Sequence, residues 1–228
     1  MDNKAELFQK LEESLLIYDA EAAVKVAQAI VDAGLDIQGA INVATAVINR
    51  IGEQFQSGDI YLPELMLAGE AMKQCMRVLS LPLAAAGGGK KRGKAVICAV
   101  SGDIHDIGKN LVSTYLALRG FEVIDLGVNV APMDIVEKAE QEKANLIALS
   151  ALMTTSMPYQ RDVINVLQEM GLRAKYYVVV GGGPVTSDFA VQAGADGWAS
   201  NAIAAAIVCE RLIDSGLRPP VLKTFIEE

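Results

Sequence analysis

Five short apolar runs rich in β-branched residues recur along the second part of the chain. They are AVICAV (95–100), EVIDLG (122–127), LIALSA (146–151), YYVVVG (176–181) and a weaker run, ADGWA (195–199). A segment with helical periodicity follows each run. Strands that are apolar on both sides are typical of parallel sheets covered by helices on both faces. The pattern therefore predicts an α/β fold, with a doubly wound, Rossmann-like or flavodoxin-like domain that contains a five-stranded parallel sheet.

The first part of the chain has helical periodicity instead. Asp19 is suited to cap a second helix, and Pro63 suits the first turn of a fourth. Four helices with short connections predict a small antiparallel bundle. A stretch at 81–94 that contains proline, glycine and lysine separates the two patterns. The predicted organisation is a helical cap domain at 1–86, a linker at 87–93 and an α/β domain at 94–228.

The composition excludes some classes of function. The formal net charge of −8 argues against a general nucleic-acid binder, because neutralising phosphates requires clustered Lys and Arg. No segment resembles a signal peptide or is apolar for long enough to cross a membrane. Cys75, Cys98 and Cys209 are too scattered for a zinc motif, so we expect them to be buried apolar side chains. We expect a cytoplasmic protein that binds neither nucleic acid nor membranes.

The segments after the strands carry the candidate functional residues, because ligands of open α/β sheets bind at the carboxyl ends of the strands. These segments are SGDIHDIG, GVNVAP, SALMTTSMP and GGGPVT. The first contains Gly102 and Gly108, but it has neither the G-x-G-x-x-G fingerprint of dinucleotide-binding proteins nor the spacing of a P-loop. It also lacks the acidic pair of a phosphoacceptor receiver domain. A dinucleotide or a phosphoryl group is therefore not favoured as the ligand.

His105 is the only histidine in the chain, and it lies in the first of these segments. A zinc site built by the protein alone needs several His, Cys or carboxylate ligands, which one histidine and scattered cysteines do not supply. If His105 binds a metal ion, most of the other ligands come from elsewhere, as in a macrocycle. Asp103 is placed to orient the imidazole by a hydrogen bond. The residues alone leave open whether His105 is such a ligand or a loop or helix-capping residue.

Several stretches resemble those of a known family. GDIHDIGKN resembles the D-x-H-x-x-G signature of cobalamin-binding proteins, and SALMTTS and VVVGGGPVT resemble the S-x-L and Gly-Gly elements that accompany it, in the same order. FQSGDIYLPELMLAGEAMK resembles the helical cap of the methionine-synthase cobalamin module. The resemblance covers nearly the whole chain. On these motifs the chain is similar to the corrinoid (cobalamin)-binding methyl-carrier proteins of methyltransferase systems.

The resemblance implies a cofactor and partners. The cofactor is cobalamin, in its methylcobalamin and Co(I) corrinoid forms, bound base-off/His-on, which means that a histidine replaces the cofactor's own base. The partners are a substrate-specific methyltransferase, a second methyltransferase that passes the methyl group to tetrahydrofolate or coenzyme M, and a reductive activase. The carrier catalyses nothing alone. The methyl donor stays open among methanol, methylamines, quaternary amines and methoxylated aromatics.

Other classes remain as alternatives. A cobalamin-dependent sensor or regulator adds a DNA-binding helix-turn-helix domain, and the predicted domains leave no residues here for one. The small subunit of an adenosylcobalamin mutase lacks a helical cap with the F-x-x-G-x-x-x-L-P pattern found at 55–63. An α/β protein that binds no cobalamin is the residual case. We therefore expect a methyl carrier.

The resemblance also assigns roles to residues. His105 matches the lower cobalt ligand, and Asp103 and Ser156 match a hydrogen-bonded relay that tunes it. Phe55 and Leu62 match apolar residues over the upper face of the corrin, although from the pattern alone both are bundle-core residues. The other residues matched to cofactor contacts are Gly102, Ile104, Asp106, Gly108, Ser150, Leu152, Thr154, Gly181, Gly182 and Ala202. From the pattern alone, Asp106 is a helix N-cap or a backbone contact, and Ser150 and Thr154 cap the end of a strand.

Overall fold

The structure, a computed structural model, describes residues 3–85 and 92–227. The chain divides into two compact units after Ala85. Most of the predicted linker at 87–93 lies outside the described residues, and its last residue, Gly93, is the first residue of a strand. No helix in the described ranges is both long and apolar enough to span a lipid bilayer.

In its described residues, the first unit consists of four helices. They are α1 (Asn3–Leu16), α2 (Ala20–Asp32), α3 (Ile37–Ser57) and α4 (Leu62–Ala85). Asp19 caps α2 as predicted, because its carboxylate accepts a hydrogen bond from the amide of Ala22. The helices bury apolar stripes against their neighbours, with α1 and α4 each packed on both α2 and α3. The predicted small helical bundle is therefore present.

Helix α4 is longer than the sequence suggested. It continues through Pro82 to Ala85, into the stretch that we interpreted as the domain boundary. A proline inside a helix removes one hydrogen bond to the preceding turn. Leucine and alanine surround Pro82, and their high helix propensity favours continuing the helix past it.

The second unit is a parallel sheet covered by helices, as predicted. The strands are β1 (Gly93–Ala99), β2 (Phe121–Asp125), β3 (Leu146–Ser150), β4 (Tyr177–Gly181), β5 (Gly197–Ala199) and β6 (Phe225–Glu227). The helices are α5 (Ile107–Leu118), α6 (Pro132–Glu142), α7 (Met157–Glu169), α8 (Ser187–Ala193) and α9 (Ala202–Asp214). The strand order is β2-β1-β3-β4-β5-β6, and neighbouring strands run parallel.

Both faces of the sheet are buried. Val96 and Cys98 of β1 lie in a buried cluster with Ile135 of α6 and Ile164 of α7. Successive side chains of a strand point to opposite faces, so Ile97 of β1 points to the other face, and it is also buried. On that other face α5 packs against α9. Burial on both faces explains why the strands appear in the sequence as continuous apolar runs.

Within the residues that the structure describes, the sheet has six strands rather than the predicted five. The additional strand, β6, pairs with β5 at the edge of the sheet. It is anchored by the amide of Phe225, which donates to the carbonyl oxygen of Asp196 over 2.8 Å. A strand of only 3 residues shows little of the alternation or apolar run that identifies a strand in a sequence, and β5, with the same length, gave only a weak signal.

Candidate functional site

Three strand ends lie side by side at one edge of the sheet. The last residues of β1, β3 and β4 are in register, because Ala99 pairs with Ser150, and Ser150 pairs with Gly181. The segments that follow these strands, among them 101–106 and 151–156, therefore emerge next to one another. The order β2-β1-β3 also places the topological switch point between β1 and β3, where open α/β sheets bind their ligands.

His105 and Asp103 form a hydrogen-bonded pair in the segment after β1. The Nδ1 atom of His105 lies 2.7 Å from Oδ1 of Asp103. The Asp103 side chain is only 1% exposed, whereas the His105 side chain is 46% exposed. Because Nδ1 faces a carboxylate, the neutral imidazole carries its proton on Nδ1 and its lone pair on Nε2. Nε2 is therefore the nitrogen that can bind a ligand.

Five hydrogen bonds end on the Asp103 carboxylate. Besides His105 Nδ1, the donors are the amides of His105 (3.0 Å), Leu152 (2.5 Å) and Met153 (3.3 Å) and the hydroxyl of Ser156 (2.8 Å). Burial by itself raises the pKa of Asp103, but the hydrogen bonds, led by those from the amides of His105 and Leu152, outweigh it and hold the pKa below its ordinary value of 3.8. Asp103 is therefore a buried anion held from the ends of both β1 and β3.

The first turn of α5 follows His105 directly. Asp106 occupies the N-cap position as the pattern predicted, although its side chain makes no capping hydrogen bond to the helix. Gly108 lies in the same turn, and a Cβ added to it would meet no atom within 4 Å. The space beside Gly108 is therefore open, as a ligand that passes close to the backbone requires.

The two glycines at the end of β4 differ in what they permit. A Cβ on Gly182 would lie 1.8 Å from the carbonyl oxygen of Ala151, so the backbones that follow β3 and β4 approach too closely for a side chain. A Cβ on Gly181 would meet only the carbonyl oxygen of Ala199, at 4.0 Å. Gly182 is thus required by the fold itself, whereas Gly181, like Gly108, leaves room at the edge of the sheet.

Large apolar side chains are exposed around this edge. Ile104, in the segment after β1, is 74% exposed, and Leu152 and Met153, after β3, are 50% and 42% exposed. Thr154 is exposed in the same segment, and Ser150 is partly buried at the end of β3. Several exposed apolar side chains in neighbouring segments indicate a large apolar ligand or a partner.

Three of the predicted residues belong to other elements. Ala202 begins α9 after β5, at the same edge of the sheet but beyond β4, so it does not join the residues around His105. Phe55 and Leu62 belong to the helical unit, where they are 39% and 57% exposed. The pattern-based interpretation of both as bundle-core residues is therefore wrong, and the helical unit has apolar surface of its own.

Three polar residues that no sequence motif marks also shape the site. Asn129, after β2, accepts a hydrogen bond from the amide of Gly102 over 2.8 Å. Lys109 is buried and forms an ion pair with the last residue of β2. Gln160 is fully buried, and its Nε2 donates to carbonyl oxygens near the ends of β3 and β4. The one available signal was an asparagine in a glycine-containing turn, because asparagine tolerates the left-handed conformation.

These residues fit the corrinoid that the resemblance implies. In the described part of the chain, no three His, Cys, Asp or Glu side chains lie together so that they could hold a metal ion. A metal that His105 binds must therefore bring its other ligands with it, as cobalt in a corrin ring does. The site matches such a macrocycle and its nucleotide tail in three respects. Nε2 of His105 has no carboxylate partner, there is open space beside Gly108 and Gly181, and the surrounding exposed side chains are apolar.

Comparisons with protein families and sequences agree with this fit. A family model described as "B12 binding domain" matches residues 93–207, and a second model with the same description matches residues 7–80. Dimethylamine corrinoid protein 2 of Methanosarcina mazei is 40% identical over 216 residues, which cover 93% of this chain and 100% of that protein. A corrinoid protein of Desulfitobacterium hafniense is 37% identical over 199 residues, which cover 86% of this chain and 92% of that protein.

Solved structures give the same result. The monomethylamine corrinoid protein of Methanosarcina barkeri has a TM-score of 0.87 at 34% identity, covering 92% of this chain and 99% of that one. A chain of the methanol:cobalamin methyltransferase complex of the same organism has a TM-score of 0.53 at 27% identity, covering 94% of this chain and 82% of that one. The fold and the site define a corrinoid-binding protein. The chain belongs to the B12-binding family of corrinoid proteins, and its cofactor is a cobalamin-type corrinoid.

Proposed function

We propose that this protein carries a methyl group between two methyltransferases, on a corrinoid whose lower ligand is His105. The observation that carries the proposal is the contact of His105 Nδ1 with the buried Asp103 carboxylate, which leaves Nε2 for a metal. A bound corrinoid supplies a cobalt ion that accepts a methyl group from one partner and releases it to another. The role of the protein chain is to hold the corrinoid and to set how strongly the imidazole of His105 donates to the metal.

Asp103 is suited to this tuning. Its carboxylate fixes the orientation of the imidazole and makes Nε2 of His105 a stronger donor through the hydrogen bond at Nδ1. Ser156 keeps the other carboxylate oxygen hydrogen-bonded, so the carboxylate stays in place. Asp103 therefore sets both the direction in which Nε2 points and how strongly it donates.

The open edge of the sheet is suited to the nucleotide tail of the corrinoid. The space beside Gly108 and Gly181 gives the tail a path along the backbone. Ser150 and Thr154 provide hydroxyls near this path, and the exposed side chain of Leu152 provides an apolar contact. Gly102, Ile104, Asp106, Gly182 and Ala202 complete the proposed set of contacts, and Phe55 and Leu62 are assigned to cover the upper face of the corrin. An apolar cover would exclude water from the reactive cobalt.

We assign a methylamine as the methyl donor. The relatives that support this choice are corrinoid proteins named for dimethylamine, trimethylamine and monomethylamine, at 34% to 40% identity. The first partner is then a methylamine-specific methyltransferase, and the methanol:cobalamin methyltransferase complex supports direct contact with such an enzyme. The second partner passes the methyl group to tetrahydrofolate or coenzyme M, a reductive activase restores the reduced corrinoid, and the protein acts in the cytoplasm.

Loading with hydroxocobalamin tests the role of His105. The apoprotein is prepared with histidine that contains either nitrogen-14 or nitrogen-15, loaded, reduced to the Co(II) state and measured by electron paramagnetic resonance. The two isotopes differ in nuclear spin. The nitrogen hyperfine splitting of the Co(II) signal therefore changes with the label only if a histidine nitrogen binds cobalt. We expect this change in the wild type and its loss in His105→Ala. No bound corrinoid would refute the proposal, and a splitting that ignores the label would refute the role of His105.

A second experiment tests the donor. The loaded protein, reduced to the Co(I) state, is incubated in parallel with a methylamine-specific methyltransferase and monomethylamine, dimethylamine or trimethylamine, and with a methanol-specific methyltransferase and methanol. We expect methylation, followed in the visible spectrum, with a methylamine and not with methanol. Methylation only by a methanol-specific methyltransferase would overturn the assignment of the donor and leave the carrier function intact.

A further inference from the structure

Asn129 links the segment after β2 to the segment that carries His105. Its side-chain oxygen, Oδ1, accepts a hydrogen bond from the amide of Gly102 over 2.8 Å. The backbone N–H of Asn129 donates to the backbone carbonyl oxygen of Asp103 over 2.9 Å. Both contacts fall on the residues just before His105, so Asn129 holds the backbone from which the imidazole and its carboxylate partner extend.

The backbone conformations on both sides make this contact specific. Asn129 has a φ of +54°, in the left-handed region that few residues other than glycine adopt, and asparagine is among those that tolerate it. Gly102 has a φ of +76°. Because a glycine permits many conformations, Gly102 alone does not determine the direction in which the chain continues to Asp103. The hydrogen bond from Gly102 to Asn129 supplies that constraint.

The segment that carries Asn129 is itself fixed to the helix after His105. Lys109, in the first turn of α5, has a side chain that is 2% exposed and forms an ion pair with Asp125 at the end of β2. Oδ1 of Asp125 also accepts a hydrogen bond from the amide of Gly127 over 2.8 Å. The segment after β2 is thus held where it begins, and it provides a fixed support for Asn129.

We infer that Asn129 is a positioning residue for His105, which it orients through the backbone of Gly102 and Asp103. The inference rests on the proposed function, in which His105 is the lower ligand of the corrinoid. Without the contact to Gly102, the backbone that leads to His105 samples more conformations. The imidazole then presents Nε2 in the ligating orientation for a smaller fraction of the time.

Two substitutions separate the hydrogen bond from the backbone conformation. Asn129→Gly removes Oδ1 and keeps the left-handed conformation without strain, whereas Asn129→Asp keeps an acceptor for the amide of Gly102. Lys143→Gly is the matched control. Lys143 also has a left-handed φ, of +53°, but it ends α6 and precedes β3, so it lies at the opposite edge of the sheet.

Two measurements on the whole protein report on His105. Nuclear magnetic resonance of the apoprotein, with labelled histidine, follows the exchange of the Nδ1 proton with solvent. Electron paramagnetic resonance of the hydroxocobalamin-loaded protein, reduced to Co(II), gives the ratio of histidine-bound to unbound cobalt. We expect Asn129→Gly to lower this ratio about threefold to tenfold, the effect of one hydrogen bond, and to speed the exchange of the proton. Asn129→Asp and Lys143→Gly should stay close to the wild type.

Three results would overturn the inference. The first is an Asn129→Gly protein equal to the wild type in both measurements. The second is an Asn129→Asp protein that loses the histidine signature, meaning the signal of histidine-bound cobalt. The third is a Lys143→Gly protein that loses this signature as much as Asn129→Gly does. If Asn129→Gly fails to fold, Asn129→Asp decides alone, because retention of the signature supports the inference and loss contradicts it. A wild-type protein without a histidine signature would instead refute the proposed role of His105, so the two failures are distinguishable.

Discussion

The hydroxyl of Ser156 donates a hydrogen bond of 2.8 Å to Oδ2 of Asp103, although the two residues follow different strands. Asp103 follows β1, and Ser156 stands at the start of α7, after β3. The contact links the segments that follow β1 and β3 on the two sides of the topological switch point. The carboxylate that orients His105 is thus held in part by the segment of the neighbouring strand, and this coupling leads to the first two predictions.

Ser156→Ala should weaken the hold on the carboxylate without unfolding the protein. Oδ2 keeps the amides of Leu152 and Met153, so we expect a loss of about 1–2 kcal/mol in the free energy of unfolding, measured in urea. We also expect a smaller histidine-bound fraction of cobalt in the loaded protein. Ser14→Ala is the control, because it removes a buried hydroxyl in the helical unit, where Ser14 donates to the carbonyl of Leu11. An effect of Ser14→Ala on the cobalt signal would contradict this account.

Asp103→Asn should reveal the charge of the buried carboxylate in the pH dependence of stability. The pKa of Asp103 in the folded protein lies below its ordinary value of 3.8, so the ionised group stabilises the fold above that pH, and the contribution is lost as the pH falls through the lower folded-state pKa. We expect Asp103→Asn to cost about 2–3 kcal/mol at pH 7, the scale of hydrogen bonds to a charged group. The difference from the wild type should stay constant down to about pH 5 and shrink below about pH 4. A difference in the free energy of unfolding between Asp103→Asn and the wild type that grows as the pH falls would contradict this prediction.

Gly108→Ala should separate binding from folding. The added Cβ meets no protein atom within 4 Å, and alanine is the better helix former, so the apoprotein should be as stable as the wild type or more stable by up to about 1 kcal/mol. The methyl group occupies the space assigned to the nucleotide tail, so hydroxocobalamin should bind more weakly. Gly52→Ala, at another helical glycine with open space, should leave binding unchanged. Wild-type affinity of the Gly108→Ala protein would remove Gly108 from the binding site.

The three cysteines should be unreactive in the folded protein. Cys75, Cys98 and Cys209 are buried, and burial raises the pKa of each thiol to about 12, so almost no thiolate forms at pH 8. We expect a thiol reagent to label none of them at pH 8 and all of them in denaturant. Cys75 lies in the helical unit and the other two lie in the α/β unit, so the order of labelling in increasing urea also reports which unit opens first. Rapid labelling of the native protein would contradict the burial of these side chains.

The parts of the fold that the sequence predicts are those with a repeating pattern. Strands β1, β3 and β4 appear as apolar runs because their side chains are buried on both faces of the sheet. Strand β2, at the edge of the sheet, is only partly buried. Strand β6 has no such pattern, because its 3 residues pair at the edge of the sheet and depend on Asp196 for their anchor. Helix α4 continues past Pro82 although proline usually ends a helix, because the leucine and alanine residues around it favour the helix.

The site is predictable only where a motif marks it. His105, Asp103 and Ser156 are assigned by resemblance, and the structure brings their side chains together. Asn129 belongs to no matched motif, and its importance depends on a left-handed backbone and a partner in another segment. Gly182 was matched as a neighbour of the tail, whereas its close approach to the carbonyl of Ala151 is a requirement of the backbone that no sequence pattern displays.

Three of the five donors to the Asp103 carboxylate are main-chain amides, those of His105, Leu152 and Met153. An amide stays in place when the side chain on its residue changes. The half-exposed side chains of Leu152 and Met153 can therefore vary through evolution, or be exchanged in a library, while the negative charge beneath His105 remains stabilised. Selection for a different corrinoid or a different partner can act on the surface of this site without disturbing the electrostatics around His105.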